Sequence, residues 1–586
     1  MRWVTRGLGG FLALLWVSAA GSPCPDNPAA AIWTSPLNPL PGVPTRIMAV
    51  LADGPAEALY QVGPAGEEIA LDADLRGGPP WSLSARLEEA GPGPYRIEVR
   101  RGGQPIACAV LGGAQPGPDD PTGGQWNEAA EAFYSAWIER LFGGHPEDSL
   151  DLPSLEPVLR DPQRNFLHDH FGNGEDERLR ATPDCADLPY FLRAYFAWKV
   201  GLPIAYRACD RGSATRPPRC GPAILDDRFT RGPAPLGAFT GLLRRIADTV
   251  HSGSARTALT AEASDFYPVP LRREFLRPGT VYADPYGHTL MIVQWVPQTA
   301  EGSGQLLAVD AQPDNSVSRK RFWEGTFLFV APAPGAGPGF KAFRPVLRQG
   351  ARLWLPSNAA LAAEAPAAPY SDEQGQLSAE DFYARMGQLI NPHGLTPERA
   401  YEAALDALVE QLETRVGSVE NGERYWREHR GTVIPMPSGA AIFETQGPWE
   451  DYSTPSRDLR LLIALRVLDD LPQRIVRYPE LFALSGQAPE AAAAAIARRH
   501  RERIRERRFS YRRSDGSPWE LTVAEVFARR AAFEIGYNPN DCAEVRWGAQ
   551  PGTSEYAPCN RRAPKDQKAR MERYRVWFHE IRRPTR

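Results

Sequence analysis

Seven cysteines in a chain of 586 residues set the strongest constraint on folding, because six of them can close separate regions and one is left over. Cys24 and Cys108 bracket a β-rich stretch, Cys209 and Cys220 close a short Arg/Pro-rich loop, and Cys542 and Cys559 bracket a Gly/Pro-containing loop. This pairing makes Cys185 the odd thiol; spacing alone does not prove it, and other pairings stay open. Each bridge stabilises its region by about 3 kcal/mol by restricting the unfolded chain.

Such bridges belong to an oxidising compartment. Residues 1–21 have the pattern of a secretion signal: Arg2 and Arg6, an apolar run over 7–17, then the small residues Ser18-Ala19-Ala20-Gly21. The run is too short to anchor a membrane protein, and no later segment holds about 18 uninterrupted apolar residues. The expectation is an exported chain, periplasmic or extracellular, with no transmembrane span after signal removal. A net charge of -4 argues against a nucleic-acid partner.

Length predicts several domains. Residues 22–112 carry short apolar runs such as Arg46-Ile47-Met48-Ala49-Val50-Leu51 between Gly and Pro turns, which predicts a small β-sandwich. Residues 113–125 read as a linker. Residues 126–345 mix helix-like and strand-like stretches, an α+β pattern. After a second linker over 346–377, residues 378–586 read as mostly helical, with Ser378 as a cap and Thr396-Pro397 as a cap followed by proline. Tyr401, Ala404, Leu405, Leu408 and Leu412 then recur at helical spacing. The fold class is therefore multidomain α+β.

The odd thiol stands in Pro183-Asp184-Cys185-Ala186-Asp187, ahead of an apolar helix through Leu188, Phe191, Leu192, Tyr195, Phe196 and Trp198. Asp184 or Asp187 can cap that helix, and Pro189 is tolerated only near a helix start. Amide dipoles at such a position stabilise a thiolate, and free N–H groups there can hold an oxyanion. The base to match it is His288, which follows the turn Ala283-Asp284-Pro285-Tyr286-Gly287 and begins the strand Thr289-Leu290-Met291-Ile292-Val293-Gln294-Trp295. The next strand ends at Asp310. A five-residue hairpin loop over 297–301 puts His288 directly opposite Asp310, and a longer loop puts Asp314 there instead. Gln163 or Asn165 is a candidate second oxyanion donor.

These segments resemble the papain-like cysteine peptidases and amidases, in particular the NlpC-type cell-wall peptidases and the transglutaminase-like proteins. Asp184-Cys185-Ala186-Asp187, running on to Gly201-Leu202-Pro203, is similar to the helix that carries the nucleophile in both. Pro278-Gly279-Thr280-Val281-Tyr282 followed by Gly287-His288 is similar to the NlpC-type strand that carries the base. Leu307-Ala308-Val309-Asp310 is similar to the transglutaminase-like pattern, in which an aspartate ends the following strand. Ala186-Asp187 stands where Ser-Gly follows the NlpC-type cysteine. The resemblance implies a papain-like central domain with a Cys185, His288, Asp310 triad and no cofactor or metal.

By the same resemblance the implied activity is that of a thiol-dependent amide hydrolase acting through an acyl-enzyme on envelope peptides or peptidoglycan stem peptides. A transglutaminase-like acyl transferase and a non-catalytic envelope-binding or scaffolding protein are the alternatives. His168-Asp169-His170 is read as surface or structural rather than as a metal site. Trp449-Glu450-Asp451 and Ser456-Arg457-Asp458 read as a helix cap with ion pairs. The basic segment Arg498–Arg513, with Glu502 and Glu506 interleaved, reads as a solvated helix face that could hold an anionic envelope polymer.

Overall fold

A computed structural model describes residues 24–584 apart from 26, 40–41, 89–93, 112–120, 214, 313, 331–332, 430, 444 and 446. The expected signal at 1–21 and most of the 113–125 linker lie outside the described residues. The chain is multidomain α+β, with a β-sandwich first and a mainly helical region last.

The sandwich consists of two four-stranded sheets. One orders the strands Ala30–Ser35, Thr45–Leu51, Trp81–Leu87 and Ala73–Arg76; the other orders Glu68–Leu71, Ala58–Val62, Tyr95–Arg101 and Gln104–Leu111. Ile32, Ile47, Leu83, Leu59, Ile97 and Val99 fill the space between them. Every residue of strand Ala30–Ser35 is buried, which simple alternation does not explain. Its second face is covered too: Trp33 stacks on Phe133 at 4.3 Å, and Ala31, Met48 and Val50 join the core of the next region.

That region is built on a seven-stranded antiparallel sheet. The order is Phe266–Pro268, Gly339–Phe343, Val281–Ala283, Thr289–Val296, Gln305–Ala311, Val317–Arg321 and Asp151–Leu152. Met291, Val293, Val309 and Val317 face the helices Glu128–Phe142 and Asp187–Val200. Leu290, Ile292 and Ala308 face Phe382 and Met386 of helix Ala379–Ile390. Residues 346–377 carry a short hairpin and the helix Asn358–Ala363, and bury Leu361 and Ala368 against this second face.

Helix Asp187–Val200 is apolar on most sides and lies inside the core. Tyr195 stacks on Trp137 of helix Glu128–Phe142 at 5.5 Å, and Trp198 stacks on Phe239 of helix Leu236–Ala247 at 4.3 Å. The same helix carries buried charges, each with a partner. Arg193 donates to both oxygens of Glu131 at 2.8 and 2.5 Å, and Lys199 donates to Glu175 and Asp176 at 2.5 and 2.8 Å.

The helical region packs Pro397–Glu428, Pro455–Arg477, Pro489–Glu506 and Lys565–His579 around Leu405, Leu412, Leu461, Leu465, Ile496 and Trp547. The expected caps are present: Ser378 accepts from Asp381 N at 3.1 Å and Thr396 from Arg399 N at 3.3 Å. The basic segment departs from a single helix, because the helix stops at Glu506 and Arg508–Arg512 pairs with Pro518–Thr522 as a hairpin. Phe509 and Tyr511 alternate into the core there, so period-two burial overrides the helical charge pattern.

Replacing Glu131 by Ala strands the Arg193 charge between two packed helices. The expected loss of stability is about 3–5 kcal/mol, read from urea unfolding of the full chain; a loss under about 1 kcal/mol contradicts this account of the pair.

Candidate active site

Asp184 builds the start of the Cys185 helix. Its Oδ1 accepts from Ala186 N at 2.8 Å and Asp187 N at 3.0 Å, and Leu188 N donates to its backbone oxygen at 3.0 Å. Of the two aspartates offered by the sequence, Asp184 therefore acts as the cap, while Asp187 is the first helical residue. Cys185 sits directly after the cap, half-buried, and is the one free cysteine among the described residues. The other six join as expected, Cys24 with Cys108, Cys209 with Cys220 and Cys542 with Cys559. The Cys185 backbone N–H has no acceptor among the described residues, and the positive end of the helix lies behind it.

His288 stands at the mouth of a tight hairpin. Asp284 N donates to His288 O at 2.9 Å and Gly287 N to Asp284 O at 3.2 Å, with Gly287 at φ 116°, a conformation that side chains resist. The imidazole Nε2 lies 2.9 Å from Asp310 Oδ2, and the Cys185 side chain lies close enough to the ring to raise its pKa. With Nε2 committed to Asp310, Nδ1 is the nitrogen left for the thiol. Both flanking elements rest on helix Glu128–Phe142. Tyr134 of that helix reaches Met291 of the histidine strand, and Trp137 and Glu131 hold the Cys185 helix.

The residues meet by a route other than the expected one. The hairpin loop spans 297–304 rather than 297–301, and Val293 is bulged between the pairs Ile292–Ala308 and Gln294–Leu307. Continuing from the Met291–Val309 pair, position 288 falls opposite 312, so His288 and Asp310 are diagonal neighbours. Asp314 takes no part; it accepts from Ser316 N and Oγ.

Asp310 is 3% exposed and serves three donors: His288, Gln312 Nε2 at 2.8 Å and Ser318 Oγ at 3.0 Å. Burial pushes its pKa up, but the bond to His288 and the charge of the ring, with Lys320 and Ser318, hold it down at about 2. Burial alone would lower His288; the bond to Asp310 and the neighbouring Cys185 side chain raise it to about 10.

Gln312 and Ser318 were not anticipated, since nothing in a strand pattern marks which polar residue faces a carboxylate. Asn165 is not the oxyanion donor suggested by the sequence. It is fully buried, and its amide donates to Leu159 O and Tyr195 OH while its oxygen accepts from Trp137 Nε1. Gln163 is exposed. His168 and His170 do not converge: His168 faces Glu177 at 3.4 Å and His170 faces Ser35 at 3.2 Å. Asp458 is spent on Arg415, at 2.7 and 3.1 Å.

The helical region reaches the edge of this site. Arg583 lies over the Tyr286 ring at 5.4 Å and donates to Ser456 Oγ at 3.1 Å. A cavity of about 170 Å³ opens beside Tyr286, walled by Glu324, Phe329, Tyr383, Leu459 and Ile463. No protein-family model, curated protein or solved structure matches the chain.

The His288–Asp310 pair makes stability depend on pH in a defined window. Asp310, held below its ordinary 3.8, contributes above that value, and the contribution is lost as pH falls through about 2. His288, held above its ordinary 6.5, contributes fully below that value, and the contribution is lost as pH rises through about 10. The stability gap between wild type and His288→Ala, followed by thermal melting, is therefore widest between these ordinary values and narrows toward about pH 10. A gap independent of pH contradicts the pairing.

Proposed function

We propose that the chain is an exported thiol-dependent amide hydrolase acting through an acyl-enzyme on envelope peptides or peptidoglycan stem peptides. Region 126–345 is read as a papain-like domain, with Cys185 as nucleophile, His288 as acid and base, and Asp310 as the group that orients the ring. The observation that carries this reading is a free thiol at a helix start next to an imidazole that is hydrogen-bonded to a buried carboxylate.

In the proposed reaction the Cys185 sulfur attacks the amide carbonyl carbon, and the oxygen takes up the displaced electron pair beside the Cys185 N–H. The C–N bond then breaks as His288 gives its proton to the leaving amine, which leaves a thioester. His288 takes a proton from water as that water attacks, and the C–S bond breaks to return the thiolate and release the acid. An amine in place of water gives acyl transfer. Asp310 at the end of the strand after the histidine strand favours that transglutaminase-like variant as the second reading.

Three disulfides among the described residues, none of whose helices is long and apolar enough to cross a membrane, support a periplasmic or extracellular setting. Within Arg498–Arg513, Arg499 and Arg503 are taken by Glu402 and Arg508 by Glu520. Arg498, Arg501 and Arg505 stay exposed on the helix, and they are the part of the segment that would meet an anionic envelope polymer.

Iodoacetamide at mildly acidic pH is expected to label the folded protein at Cys185, mapped by peptide mass analysis. His288→Ala is expected to slow labelling by about 100-fold, and Asp310→Asn to slow it in the same direction. Equal labelling of wild type and His288→Ala means an idle thiol and a binding or scaffolding protein. Muropeptides on one side, and glutamine peptides with an added amine on the other, then divide hydrolase from transferase by product mass.

A further inference from the structure

Outside the triad, a buried arginine is tied to the turn that carries the histidine. We propose that Arg256, held from behind by Lys341, is a positioning residue of the proposed hydrolase: it fixes the turn over 283–288 so that the His288 ring stays bonded to Asp310 and next to Cys185. This role rests on the hydrolase reading, and it gives the stretch between the Cys185 helix and the histidine strand a task beyond linking the two.

Arg256 follows the short helix Ser252–Ala255 and is 4% exposed. Its Nη1 donates to Pro285 O at 3.4 Å, and its Nε donates to Ser252 O at 3.4 Å. Pro285 lies inside the turn that Asp284 N and His288 O close at 2.9 Å, and Asp284 Oδ1 accepts from Tyr286 N at 2.5 Å. A carbonyl held there from outside restrains the whole turn, because the proline ring already fixes one of its dihedrals. The segment is anchored at its start as well: His251 Nε2 lies 2.9 Å from Cys209 O, at the Cys209–Cys220 disulfide.

Lys341 lies on strand Gly339–Phe343, opposite Val281 of the strand that leads into the turn. It is 1% exposed, and its Nζ donates to Ala255 O at 2.7 Å and to Thr257 O at 2.9 Å, the carbonyls on either side of Arg256. The segment over 252–257 is thus clamped between a strand of the sheet and the histidine turn. Among the described residues neither cation has a carboxylate within 4 Å, and Arg256 Nη2 is buried without an acceptor. Two buried cations answered only by carbonyls are a poor source of stability, since packed apolar groups in place of buried charge are often neutral or stabilising. What they supply is a fixed position: charge-assisted bonds to three carbonyls of one segment, those of Ser252, Ala255 and Thr257, and to one of the turn, that of Pro285.

In the full chain, two readouts separate positioning from folding: the second-order rate of Cys185 with iodoacetamide, and the far-downfield NMR signal of the ring proton between His288 Nε2 and Asp310 Oδ2. Arg256→Met is expected to keep a cooperative thermal melt, to slow labelling by about tenfold, and to speed exchange of that ring proton with water. Arg256→Lys falls between Arg256→Met and wild type, because an ammonium still reaches one carbonyl but not both. Lys341→Met acts in the same direction with a smaller effect. An Arg256→Met protein that labels at the wild-type rate and keeps the wild-type ring proton overturns the proposal; should that variant not fold, the same result in Lys341→Met overturns it. If wild type is not labelled at Cys185, or labels no faster than His288→Ala, the hydrolase reading fails, and the ring proton still decides whether Arg256 holds the histidine.

Discussion

The hydrogen bond between the His288 ring and the buried Asp310 carboxylate is the contact on which the site depends. It fixes which ring nitrogen is left for sulfur and keeps the ring cationic against the cost of burial. The carboxylate in turn is fixed by Gln312 and Ser318, so the ring is oriented by a group that cannot itself swing. Behind it, the sheet and the Cys185 helix are both registered against helix Glu128–Phe142. Thiol and imidazole are thus placed by one scaffold rather than by mobile loops.

Much of the site was legible because its signals are local. An aspartate shortly before a buried apolar run, with proline close behind, marks a helix start wherever it occurs, and Cys185 sits there. The cysteine pairs are legible for a similar reason, since each closes its own region. The register of the histidine hairpin was not legible. Its loop is held from outside: Gln298 donates to Gly394 O and Gly304 N donates to Asn391, and both partners lie about ninety residues away. The Val293 bulge shifts the pairing further, and the correct aspartate is reached diagonally.

The helical region shows the same division. Its caps and apolar spacing were readable, but the hairpin at Arg508–Arg512 was hidden by a charge pattern that suits a helix. Arg583, which lies over the Tyr286 ring, comes from more than 270 residues beyond Asp310, so no spacing rule connects it to the site. A guanidinium is tolerated inside an interface only where carboxylates, rings or a ligand answer it.

The most direct measurement of the central claim is the titration of the His288 ring itself, followed by NMR of the labelled imidazole in the intact protein. The account predicts a ring that stays cationic from mildly acidic solution up to about pH 10 and becomes neutral at lower pH when Cys185 is replaced by Ala. A ring that titrates near the ordinary 6.5, indifferent to the loss of the thiol, contradicts it.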